Sequence, residues 1–81
     1  MYKDILLTAL RGITLPTDQM IISENLSTAL TQAGHPDILC LGIFNGGESL
    51  FEGVVMDGVN MQLGPLLRFT YDWDTDEFIE L

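Results

Sequence analysis

The tripeptide Gly34-His35-Pro36 divides the chain into two stretches of different periodicity, and this restricts the fold more than any other feature. Glycine followed closely by proline stops a helix. The first supplies left-handed backbone at the helix end, and the second cannot continue the hydrogen-bond ladder. Before the stop, apolar residues recur at helical spacing. Ile5, Leu6, Ala9 and Leu10 fall on one side of a helix predicted over residues 4–11, which Gly12 ends. Residues 13–16 form a linker, kept extended because a residue before proline disfavours helical backbone. Ile22, Leu26, Ala29, Leu30 and Ala33 make a second, longer stripe, and Thr17 or Asp18 can cap the helix that carries it.

After Pro36 the period shortens. The run DILCLGIF, residues 37–44, is short and apolar on both faces, which reads as a central strand. Asn45-Gly46-Gly47 signals a hairpin turn, since these residue types adopt positive φ at low cost. Residues 49–56 are the expected return strand, Asp57-Gly58 a second turn, and residues 59–63 a weak third strand broken by Gly64-Pro65. Residues 66–73 alternate cleanly: Leu67, Phe69, Tyr71 and Trp73 share one face, and Arg68, Thr70 and Asp72 the other. A turn over 74–77 and a short return over 78–81 complete the pattern. Helices followed by strands define an α+β class. The expectation is two N-terminal helices, the second longer, packed on a small antiparallel sheet of three to five strands, in one domain spanning residues 1–81.

Composition narrows the classes of function. The formal charge is −9, with Lys3, Arg11 and Arg68 set against twelve acids. Such a chain is repelled by nucleic acid and by anionic membranes, so direct binding to either is not expected, whereas basic proteins attract it. A single cysteine, Cys40, excludes an internal disulfide and lies in an apolar run, as a small buried hydrophobe would. The N-terminal apolar run is too short for a signal peptide, and no stretch approaches membrane-spanning length. A cytoplasmic location is therefore expected.

The acids are unevenly placed. Residues 1–71 carry seven acids and three bases, while residues 72–81 carry five acids and no base. The spacing Asp72-x-Asp74-x-Asp76 resembles the start of a calcium loop. That loop needs glycine at its sixth position, where Glu77 stands, and a glutamate at its twelfth, which falls past Leu81. No metal or other cofactor is expected. Catalysis has little support either. His35 belongs to the helix stop, and three basic residues offer few groups to stabilise developing negative charge. Gly46-Gly47 has no following helix and no nearby base, so it is not a phosphate cradle. A pocket lined by Met56, Met61 and Phe51 is conceivable, although methionines at such spacing usually fill cores.

Acids concentrated beside Tyr71, Trp73 and Phe78 suit a binding edge, where the ring anchors and the charge steers. The function expected is that of a small acidic, non-enzymatic inhibitor or immunity-type protein. It binds a basic partner, such as a nuclease or another nucleic-acid-binding protein, through a C-terminal acidic-aromatic hairpin. In this reading Asp72, Asp74, Asp76, Glu77 and Glu80 steer and pair with lysines and arginines, as a mimic of spaced phosphates, and Trp73 is the anchor. Compact acidic chains of this kind occur among bacterial immunity proteins and phage-encoded inhibitors, an analogy of class that rests on no motif. Self-association, most simply into a dimer, is expected as well, and the alternative function is a homo-oligomeric structural or assembly module with no basic partner. A mean hydropathy of +0.28 in so charged a chain leaves apolar side chains for both sheet faces, and only one face can be covered by the helices.

Overall fold

Two helices are followed by a four-stranded antiparallel sheet, an α+β fold, in the computed structural model, which describes residues 2–81. Helix α1 spans Tyr2–Arg11, two residues longer at its start than the apolar stripe requires. Helix α2 spans Gln19–Gln32. Its cap is Asp18, whose side chain accepts hydrogen bonds from the amides of Met20 and Ile21 at 2.9 and 3.0 Å. These two amides have no partner inside the helix, so the carboxylate satisfies them and places negative charge at the positive end of the helix dipole. Gly34 closes α2 with φ at 96°, and the amide of His35 reaches back to the carbonyl of Leu30 at 2.9 Å.

The strands are β1 (Ile38–Asn45), β2 (Leu50–Asp57), β3 (Leu67–Asp72) and β4 (Glu77–Glu80), and they lie side by side in chain order. Thus β1 is an edge strand and not the central one its apolarity predicts. Its apolar side chains on one face enter the core, while Leu39, Leu41 and Ile43 on the other face remain exposed. The first turn is also built differently. Positive φ falls on Ser49, at 52°, and Asn45 fixes the turn by accepting the amide of Gly47 at 3.1 Å. Residues 59–63 do not form a strand. The Asp57 side chain accepts the amides of Val59 and Asn60 at 2.9 and 3.1 Å, and a single 3-10 turn, Met61–Leu63, follows. Amides held by a local carboxylate are not free to build a ladder.

Register fixes which side chains share a face. Ile38, Cys40, Phe44, Phe51, Val55, Leu67, Phe69, Tyr71 and Phe78 line the face beneath the helices, and the core adds Leu6, Leu10, Ile22, Leu26 and Leu30. Gly42 and Gly53 stand opposite one another on that face, beneath the rings of Phe51 and Phe69. Any Cβ at Gly53 would come within 2.4 Å of the Phe69 ring. Phe51 therefore belongs to the inner face and Met56 to the outer, and Met61 lies in the loop, so these three residues do not line a common pocket. Burial also pushes the Cys40 thiol up to about 12, which keeps it in the unreactive protonated form.

Candidate functional site

The acidic hairpin is the connection from β3 to β4. Asp72 ends β3, and its carboxylate accepts the amide of Asp74 at 2.8 Å, which bends the chain immediately. The turn occupies residues 73–76, one position earlier than the alternation predicts, because Asp76 takes the left-handed conformation with φ at 54°. Aspartate is among the few residues other than glycine that adopt this conformation readily.

Two of the six predicted site residues are committed to holding the hairpin in place. The indole of Trp73 donates to the carbonyl of Leu10 at 3.0 Å, in the last turn of α1. Its ring meets Phe44 and Tyr71 edge-on, with centroids 5.5 and 5.0 Å away. Asp76 accepts the Arg11 guanidinium through both oxygens, at 3.0 and 2.8 Å, and the Tyr71 hydroxyl at 2.6 Å. The Arg11 hydrogen bonds, then that of Tyr71, hold the Asp76 carboxyl down to about 2. Burial, reinforced by the same carboxylate, pushes the Tyr71 phenol up to about 12. Asp76 also raises the Arg11 pKa, chiefly through the same hydrogen bonds.

The other four, Asp72, Asp74, Glu77 and Glu80, have no basic partner among the described residues. Asp72 and Glu77 stand directly opposite each other across β3 and β4, on the sheet face that no helix covers. Like charges placed directly opposite destabilise a strand pair. Glu52 shares that face on the neighbouring strand β2, opposite Thr70 of β3. Glu80 lies on the inner side of β4, opposite Phe69, and Asp74 sits in the turn. Beside these acids, on β1 and β2, runs the apolar strip: Leu41 is 54% and Ile43 67% exposed, with Val54 and Met56 half-buried behind them. The sequence points to this strip through the two-sided apolarity of DILCLGIF. It gives no sign of the Arg11–Asp76 pair, whose members lie 65 residues apart.

Among the described residues, no three acids, histidines or cysteines converge as metal ligands, and no helix is long and apolar enough to cross a membrane. No family model, curated protein or solved structure matches the chain.

Proposed function

We propose that the chain is a small non-enzymatic binding protein, of inhibitor or immunity type, that covers the basic surface of a protein partner such as a nuclease or another nucleic-acid-binding protein. The observation that carries this reading is the set of four acids, Asp72, Asp74, Glu77 and Glu80, that lack a base of their own on a hairpin braced against α1. A rigid mount lowers the entropic cost of presenting those charges, and a cation between Asp72 and Glu77 relieves their repulsion. Trp73 serves this site as a brace instead of a free anchor. The neighbouring strip of Leu41, Ile43, Val54 and Met56 supplies the apolar contact area that charge alone lacks.

The test replaces Asp72 and Asp74 by Asn and Glu77 by Gln, which keeps the size of each side chain and the acceptor oxygen of the turn. Affinity for a panel of purified basic nucleases is then measured across salt concentration. Loss of affinity and a shallower salt dependence support the reading, and unchanged values for both remove the hairpin from binding.

A second reading, a homo-oligomeric assembly module, draws on the exposure of Leu39, Leu41 and Ile43 on the uncovered face. A second copy stacked on that face would bury them. Light scattering distinguishes the two: a stable oligomer indifferent to basic proteins favours assembly.

A further inference from the structure

The two edges of the sheet are finished differently. The residues of β1 whose backbone points away from β2 are Ile38, Cys40, Gly42 and Phe44, as the register and the bond from the Gly58 amide to the Asp37 carbonyl require. Helix α2 and its C-terminal loop occupy most of that edge. The Ser27 hydroxyl accepts the Cys40 amide at 3.0 Å and donates to the Cys40 carbonyl at 3.2 Å. Gln19 accepts the Phe44 amide at 3.3 Å, and the His35 carbonyl takes the amide of Ile38 at 3.2 Å. An incoming strand would have to displace these bonds.

The β4 edge has no such cover. The Leu81 amide bonds the Arg68 carbonyl at 2.8 Å, so Glu77 and Ile79 pair with β3, and the backbone of Phe78 and Glu80 points outward. Among the described residues, no side chain or backbone group bonds to those outward positions. Lys3 lies over the Phe78 ring, 5.8 Å from its centroid, on a side chain whose other face stacks on Phe69. An open edge of this kind is a template for strand addition.

We propose that β4 accepts an extended basic segment of a protein partner as a fifth strand. This rests on the reading of the hairpin as a docking surface for a basic protein and specifies how it docks. The side chains of β4 read acid, apolar, apolar, acid in the order Glu77, Phe78, Ile79, Glu80. Alternation puts one acid and one apolar residue on each face: Glu77 and Ile79 on the outer, Phe78 and Glu80 on the inner. The complementary strand therefore reads base, apolar, apolar, base. Because that order is the same in either direction, the charges match whether the strand enters parallel or antiparallel. A second copy pairing β4 to β4 is disfavoured, since it would bring together two chains of charge −9.

The experiment uses three capped peptides built around lysine–valine–valine–lysine. One has free amides, one is N-methylated at the two amides that would face β4, and one has the core rearranged to valine–lysine–lysine–valine. Titration onto the full chain is followed by calorimetry and by hydrogen exchange at the Phe78 and Glu80 amides. The free-amide peptide is expected to bind most tightly and to slow exchange at both positions. N-methylation is expected to weaken binding by about tenfold or more, because two hydrogen bonds are lost at constant charge. Rearrangement is expected to weaken it by severalfold.

Equal binding of the methylated peptide overturns strand addition while leaving the acidic surface standing, because charge alone then suffices. Equal binding of the rearranged peptide overturns the proposed pairing, and no binding by any peptide overturns the proposal outright. On the protein side, Glu80→Pro removes an outward amide that makes no bond within the sheet, whereas Glu80→Gln removes only the charge. The proline variant is expected to lose about tenfold more affinity than the glutamine variant. Equal loss in the two overturns the backbone pairing.

Discussion

Single residues hold this fold where the backbone comes closest to a ring or a charge. Gly53 is the clearest case. The Phe69 ring lies on it, and an added methyl would approach ring atoms to 2.4 and 2.6 Å. Gly53→Ala is therefore expected to destabilise the chain by about 1–3 kcal/mol, as overpacking a finished core does, measurable by denaturant unfolding. Asp76 is held by charge. Its carboxyl falls from an ordinary 3.8 to about 2 because Arg11 and Tyr71 donate to it. A group whose value is depressed by folding stabilises above its unfolded pKa and loses that contribution as pH falls through the folded one. Thermal melts are thus expected to show the wild-type chain losing an increment of stability between about pH 4 and about pH 2 that Asp76→Asn lacks. Asparagine tolerates the same left-handed backbone, so the substitution removes the ionisable group and one acceptor oxygen without straining the turn. If both proteins lose stability in parallel over that window, the Arg11–Asp76 pair contributes nothing. None of this was legible in the sequence, where Gly53 is one of eight glycines and Asp76 one of twelve acids.

Among the elements, what the sequence revealed was local and what it concealed was long-range. The Gly34–Pro36 stop, the Asp18 cap and the alternation from Leu67 to Asp72 all express the chemistry of near neighbours, and the structure contains each of them. The position of β1 at the edge depends on what α2 places beside it, a relation no local pattern encodes. Apolarity on both faces implied a covered strand, yet the edge is protected by side chains of a helix that ends six residues earlier. Ser27 carries most of that protection, since one hydroxyl serves both the amide and the carbonyl of Cys40. Ser27→Ala is expected to cost about 1–3 kcal/mol by leaving two partly buried backbone groups unpaired. It is also expected to accelerate hydrogen exchange at the Cys40 amide. Unchanged exchange there would show that Ser27 does not guard the edge.

At the scale of the whole molecule, charge and apolar surface work against each other. The radius of gyration, 11.8 Å, matches the roughly 12 Å of a well-folded chain of this length, so the exposed strip on β1 and β2 does not reflect loose packing. Any association of two copies through that strip must overcome the repulsion between two chains of charge −9. Salt screens that repulsion, so self-association is expected to strengthen as ionic strength rises from about 0.01 M to about 1 M, whereas binding of a basic partner weakens. Light scattering across that range, repeated on Ile43→Lys, checks the expectation. A mass that falls with salt, or is unaffected by the substitution, argues against the strip as a contact between copies. The bonds from Trp73 to Leu10 and from Asp76 to Arg11 have a different consequence, in the order of biosynthesis. They join segments more than sixty residues apart, so α1 leaves the ribosome long before the hairpin that fastens it exists. At roughly 5–20 residues per second that interval lasts several seconds. A ten-residue helix is marginal on its own, so during translation α1 is a transient turn of chain awaiting its anchor. The fold is completed by its last-made strands.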